Sequence, residues 1–470
     1  MNVPSFEFLA FAALVALAIH ASDRPAWRRG VMILANIGFV LTFTHDPRAL
    51  APFAGLLAFG FASLKIMEFR RGKAAFVPLL LALIVGFFWL KRYAFVPHEM
   101  FLPFSYFVVG MSYVYFRMLH LVIDAYQDAL PERIGLAAYV SFTLNFTCLV
   151  SGPIQMFQDY RRTETGQPLP LTWQLAGDGL ARIVVGFFKV SIVSPVLLYA
   201  QREAIVALAS TPGSFGRVID GGLVLTLFPV YVYYNFSGYT DFVIGAAKFL
   251  GLSLPENFNK PFFAQGVIDF WGRWHITLSN WLKTYVYSPL VLSLMRRIPS
   301  LKLQAYVAVF AYFVTFFLVG AWHGQSTKFL FFGLLTGFGI SVNKLYEVVM
   351  ARKLGRKRYG ALNARPLYAA FARGLNFTWF SFTMLWFWSD WPQLGKIASL
   401  LGGASIPLIL VCVIAAAALA LAGLERLSRG LERLTFPSLR VAWYTALAVT
   451  TLSVEVVLNS PAPHLVYRAF

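Results

Sequence analysis

Residues 270–289 read FWGRWHITLSNWLKTYVYSP, and residues 320–324 read GAWHG. Wound as a helix at about 100° per residue, the first stretch puts Trp271, Trp274, Leu278, Trp281, Leu282 and Tyr285 on one side. Arg273, Thr277, Asn280 and Thr284 fall on the other, flanked by Ser279 and Lys283, with His275 at the border and Ile276 as the one apolar intruder. Such a helix does not suit a span surrounded by lipid, because charge at the bilayer centre is costly. It suits an in-plane or re-entrant helix, or the wall of a wet cavity. The same pattern also fits a peripheral amphipathic helix with no chemistry at all.

Outward from this stretch the chain is apolar in both directions. It has 470 residues, 58% of them hydrophobic and only 13% charged, with a mean hydropathy of +0.65. Soluble domains rarely combine so much apolar surface with so few charges. Apolar runs near the spanning length of about 20 residues recur throughout, and the alternating segments of an outer-membrane barrel are absent. The fold class is therefore an all-α polytopic membrane protein, with about 11–13 transmembrane helices plus in-plane or re-entrant ones. Residues 5–21 lack a basic segment before them and read as a retained span rather than a cleaved leader. Residues 101–125 and 136–158 also read as spans. Pro103, the Gly152-Pro153 pair, Pro195 and Pro229 are expected to kink or break their helices. Nothing marks a second, soluble domain, so residues 1–470 read as one integral membrane unit.

The net charge of +19 is first a topology signal. Residues 23–29 carry three arginines, 65–73 four basic residues, 352–365 the densest basic run and 425–440 four arginines. The turn at 45–48 and the connection at 389–402 carry one basic residue each. This alternation places those loops in the cytoplasm and the N-terminus outside. It also places the GAWHG segment, at the turn between two adjacent apolar runs, towards the extracytoplasmic side. The basic loops would equally suit the phosphates of coenzyme A or an acidic carrier protein. No basic tract interleaved with aromatics supports nucleic-acid binding. The two cysteines, Cys148 and Cys412, lie in apolar runs and form no zinc or disulfide pattern.

Seven histidines are present. His20, His45, His98 and His464 lie at run ends, in a loop or in the tail. His120 stands one turn from Asp124 and reads as a polar contact between packed helices. His275 and His323 differ, each sitting among tryptophans and small or polar residues. Histidine is the side chain best suited to take a hydroxyl proton near neutral pH, and partial burial holds the ring neutral, as a base requires. A structural role for either remains open on patterning alone. A third polar island, Asn235, Ser237 and Asp241, interrupts an apolar run, and an ionisable Asp241 at that depth marks either a site or a hydrogen-bonded network. Phosphate-binding loops, dinucleotide fingerprints, nucleophile elbows and metal-ligand spacings are missing. Acyl transfer from a thioester to a hydroxyl fits what remains: a histidine removes the proton, and donors such as Arg or Asn stabilise the oxyanion.

Four segments, in order, resemble the membrane-bound O-acyltransferases, in particular the bacterial branch that serves alginate O-acetylation and teichoic-acid D-alanylation. They are 151–154 (SGPI), 234–245 (YNFSGYTDFVIG), 270–289 and 319–324 (VGAWHG), with 385–390 (LWFWSD) as a further aromatic match. Together they cover about residues 150–390. The resemblance implies helices ringed around a thin centre with a central tunnel. It implies that His323 is the catalytic residue and His275 the second important polar position. By the helical reading and the polar island, rather than by the resemblance, Arg273, Trp274, Asn280 and Trp322, with Asn235, Ser237 and Asp241, are candidate substrate-binding residues.

The expectation is a bacterial inner-membrane O-acyltransferase with no permanently bound cofactor and no metal. The donor would be acyl-coenzyme A, most simply acetyl-coenzyme A, or an acyl-carrier thioester. The acceptor would be a hydroxyl of an extracytoplasmic polysaccharide, as in exopolysaccharide O-acetylation, or of a periplasmic acyl-relay protein. Acyl or aminoacyl transfer to a lipid, a teichoic-acid-type polymer or a protein stands as an alternative. A transporter without covalent chemistry also suits polar islands at depth.

Overall fold

A computed structural model describes residues 1–166, 168–210, 214–300, 302–432 and 437–458; His464 lies outside them. The described residues are helix and loop, and their one bridge of strand type pairs Phe258 with Trp274. In chain order the helices are α1 (Phe6–His20), α2 (Pro25–Leu41), α3 (Pro47–Phe69), α4 (Lys73–Leu90), α5 (Met111–Tyr126), α6 (Leu136–Thr143), α7 (Phe157–Arg161) and α8 (Trp173–Phe188). There follow α9 (Ser194–Ser210), α10 (Ser214–Phe249), α11 (Val267–Trp271), α12 (Ile276–Leu282), α13 (Ser288–Arg297) and α14 (Gln304–His323). The last are α15 (Thr327–Asn363), α16 (Pro366–Trp388), α17 (Trp391–Leu401), α18 (Ser405–Glu432) and α19 (Pro437–Leu458). Among the described residues, seven helical segments, one of them α8 continued through α9, are long and apolar enough to cross a bilayer, and α1 is a shorter apolar one. The protein is an all-α, multi-pass membrane protein. The chain forms two compact units: residues 1–191, 236–256 and 447–470, and residues 192–235 and 257–446.

In the first unit, two apolar runs that read as spans are only partly helical. Residues 144–156 are buried but irregular, and backbone at such depth needs partners for its polar groups. Other helices supply them. The Arg117 guanidinium of α5 donates to the Phe142 and Cys148 carbonyls, both at 3.0 Å. The Asn36 amide of α2 donates to the Ser141 carbonyl at 3.0 Å and accepts from the Phe146 N–H at 2.9 Å. Helix α5 starts only at Met111, after Gly110 at φ +71°, where a β-carbon would strike the Leu149 carbonyl; glycine alone combines that conformation with that approach. His120, fully buried, accepts from the Phe157 N–H at 3.2 Å, the packing contact its spacing suggests. His20 bonds the Phe249 carbonyl.

At two of the prolines expected to kink or break a helix, the helix is not broken. A π turn at Lys189–Val193 precedes Pro195, and the chain stays helical from Trp173 to Ser210. Helix α10 likewise runs through Pro229 and through the polar island. The basic run is helical too up to Asn363, apart from a kink at Gly355 inside α15.

In the second unit, α14 and α15 form a tight hairpin joined by three residues, 324–326. A β-carbon on Gly320 would meet the Phe329 carbonyl and the Gly333 backbone, and one on Gly333 the Phe317 carbonyl. The backbones touch there because neither residue has a side chain. Helix α16 packs against α15 and α18.

Candidate active site

The stretch 270–289 is not one helix. It comprises α11, a reversal, α12 and a π turn at Lys283–Tyr287 leading into α13. The reversal is at His275, whose backbone is left-handed (φ 46°, ψ 51°) and which caps α12. That conformation is uncommon outside glycine and needs outside support. The loop before α11 provides it. The Ile276 N–H donates to the Asn257 carbonyl at 3.0 Å and the Asn259 N–H to the Arg273 carbonyl at 2.9 Å. The Asn257 side-chain oxygen accepts from the Thr277 N–H and hydroxyl.

The reversal redistributes the residues that a single helix would align. The Arg273 side chain is half-exposed and paired with Asp269 at 2.8 Å, and Asn280 is exposed. Neither is oriented as an oxyanion donor beside His275 by a common helix face. Trp274 is buried in an aromatic cluster, with ring centroids 4.9 Å from Phe380, 5.2 Å from Phe258 and 5.6 Å from Phe270. It is a core residue that anchors the reversal.

His275 and His323 are brought together through Trp322. Both imidazoles are buried. Their centroids lie 6.3 Å and 4.6 Å from the Trp322 indole. His323 is the last residue of α14, and its ring also meets Phe332 of α15 at 5.8 Å and Phe387 of α16 at 5.1 Å. Three helices therefore fix one imidazole, while the adjoining connection at Gln325 and Ser326 is exposed.

The polar island behaves differently. Asn235 is buried in the same unit as the two histidines, whereas Ser237 and Asp241 belong to the first unit. Asp241 accepts from Lys189 at 2.7 Å and pairs with Arg182 at 3.6 Å, and Arg182 also holds Glu256 at 2.7 Å. This ion network sits where α8 crosses α10. There a β-carbon on Gly186 would be 2.6 Å from the Gly238 carbonyl. Asp241 is thus a partner in helix packing.

Sequence reasoning missed a cavity of about 400 Å³ along the α15–α16 seam. Its lining includes Asn343, Tyr346, Tyr368, Asn376 and Trp379. A smaller space shares Asn376 and Trp379 and continues to Thr336 and Thr383, each one helical turn from Phe332 or Phe387. The Trp379 indole N–H is buried there with no hydrogen-bond partner among the described residues. The only sequence signal was polar residues within apolar runs, which periodicity alone could not assign to one seam.

The family described as MBOAT, membrane-bound O-acyltransferase, matches residues 115–382, more than half of the chain. The chain belongs to the membrane-bound O-acyltransferase family. The match contains both histidines and the Asn257 turn. Among curated relatives, the teichoic acid D-alanyltransferase of Bacillus subtilis is 30% identical over 231 residues, 48% of this chain and 56% of that protein. The probable alginate O-acetylase AlgI of Pseudomonas aeruginosa is 28% identical over 251 residues, 52% of this chain and 44% of that protein. The chain spans about half the length of these two relatives. The teichoic acid D-alanyltransferase of Lacticaseibacillus rhamnosus is 24% identical over 345 residues, 71% and 84% of the two chains. Within the membrane-bound O-acyltransferase family, then, this chain is similar to proteins named for two different acyl groups and two different polymers.

Proposed function

We propose that this protein moves an acyl group, acetyl in the simplest case, from a cytoplasmic thioester to a hydroxyl of an extracytoplasmic polysaccharide or of a relay protein, with His323 as general base. The observation that carries the reading is the convergence of the two buried imidazoles on Trp322, at the end of the α14–α15 hairpin. His323 takes the proton of the acceptor hydroxyl as its oxygen attacks the thioester carbonyl. His275 donates a hydrogen bond to the developing oxyanion. Collapse of the tetrahedral intermediate expels the thiolate, which recovers the proton from His323. The donor is acyl-coenzyme A or an acylated carrier protein, and the α15–α16 cavity is its route, with the Trp379 N–H available to a donor carbonyl. The protein lies in the bacterial inner membrane with its N-terminus outside.

Replacing His323 by Ala and measuring transfer from radiolabelled acetyl-coenzyme A tests the role. Loss of about 10²–10⁴-fold is expected for a general base. Unchanged transfer by a well-folded variant refutes it, as does a protein that carries substrate across liposomes without cleaving any thioester. The similarity to teichoic acid D-alanyltransferases favours a second reading, aminoacyl transfer from a carrier protein. A D-alanyl-carrier thioester consumed faster than acetyl-coenzyme A would select it.

A further inference from the structure

Below the point where α16 crosses α18, the two helices enclose a second, larger cavity of about 990 Å³. The crossing itself is tight: a β-carbon on Gly374 would meet the Ile414 carbonyl and the Ala418 side chain. Beyond it the walls are small, including Ala369, Ala415, Ala418 and Ala422. The rims are large apolar side chains, with Leu367 87% and Leu419 77% exposed. A space so lined, opening between such residues, faces lipid rather than water.

Its other end is charged. Arg373 grips the Glu425 carboxylate with two hydrogen bonds, at 2.6 and 3.0 Å, and donates a third to the Phe263 carbonyl. Arg429 reaches the same carboxylate at 3.0 Å, and Arg426 completes the lining. Three arginines and one glutamate line this end, so it keeps an excess of positive charge. By the distribution of Lys and Arg it lies at the cytoplasmic surface.

We propose that this wedge binds an anionic phospholipid of the cytoplasmic leaflet. The head-group phosphate sits on Arg426 and Arg429, and one acyl chain lies along the alanine wall. Guanidinium groups pair with phosphate oxygens in a fixed fork, and basic pockets between membrane helices suit anionic head groups. Free phosphate would use the charged end alone and leave the apolar wall exposed. A zwitterionic lipid lacks the net charge that the excess of arginine calls for. The site is separate from the two histidines, so the proposal does not depend on the acyl-transfer reading.

The test is a thermal-shift titration of the full chain in detergent, with phosphatidylglycerol, with phosphatidylcholine of the same chains and with inorganic phosphate. Native mass spectrometry counts the bound lipids. Phosphatidylglycerol should raise the melting temperature and bind one to one, whereas the other two should not. The double variant Arg426→Gln/Arg429→Gln should weaken phosphatidylglycerol binding by at least about tenfold, as expected for lost hydrogen bonds to a charged group. Ala422→Leu, which fills the wall and leaves every charge in place, should do the same. Equal shifts with both lipids, a shift reproduced by phosphate alone, or unaltered binding by both variants would overturn the proposal. So would dimer formation that buries the wedge under the same conditions.

Discussion

The side-chain oxygen of Asn257 accepts two hydrogen bonds from Thr277, one from its N–H at 3.2 Å and one from its hydroxyl at 2.7 Å. Both residues are buried, so water cannot replace either bond. Two residues before Thr277 stands His275 in its left-handed conformation. Asn257 therefore helps set the direction in which an imidazole leaves the backbone, although it is remote from that imidazole in sequence. Asn257→Ala should destabilise the protein by about 1–3 kcal/mol for each group left unpaired. It should also reduce kcat more than it raises KM, because it misplaces a reacting group without touching substrate. Thermal unfolding in detergent and steady-state transfer kinetics measure the two effects.

His275 can be probed without breaking its turn. Asparagine tolerates the left-handed region far better than most side chains. His275→Asn should keep the melting temperature close to that of the parent, and His275→Ala should lower it. Both should lose acyl transfer to a similar degree if the imidazole itself is used. An Asn variant that is stable and fully active would show that only the backbone reversal matters there.

Asp241 should behave as a packing residue. Its carboxylate is held by Lys189 and Arg182, with only 18% of the side chain exposed. Asp241→Asn should cost about 1.5–3 kcal/mol, the range for a hydrogen bond to a charged group, and leave KM for the acceptor unchanged. Exchanging the partners, Lys189→Asp with Asp241→Lys, should recover part of the lost stability. A raised KM with unaltered stability would instead return Asp241 to the substrate site.

Lys91 gives the protein a pH dependence. It follows the last residue of α4, is 6% exposed, and burial pushes its pKa down from 10.5 to about 8. The unfolded chain then holds this proton up to about pH 10.5, while the folded chain releases it near pH 8. Stability from this group is lowest below pH 8 and rises through that window, because the unfolded state binds more protons there. Lys91→Met should raise the melting temperature at pH 7, and the gain should vanish above pH 10.5. A gain independent of pH would mean that charge is not its cause.

What the sequence conveyed, and what it did not, follows one division. The turn near His323 was legible because an apolar run stops there at a Trp-His-Gly sequence, although α14 continues through His323, which the pattern placed in the connection. The reversal at His275 was not, because it is imposed by Asn257, and a residue-by-residue winding of 270–289 cannot see that partner. The buried irregular stretch after α6 read as a span for the same reason. Its backbone is satisfied by Arg117 and Asn36 from other helices. Asp241 read as a site because charge at depth is rare, while its counter-charge stands 52 residues away on the chain. Local pattern revealed the helices, and long-range polar partners decided which of them bend, stop or carry charge.

The glycine contact between α14 and α15 has a mechanical consequence. With the Gly320 and Gly333 backbones already touching, the hairpin has no slack by which either strut could slide along or tip against the other. The imidazole one turn above is bolted down rather than mounted on a hinge. Cargo must come to it, and any shutter that admits one reactant and then the other has to be built from neighbouring parts of the protein.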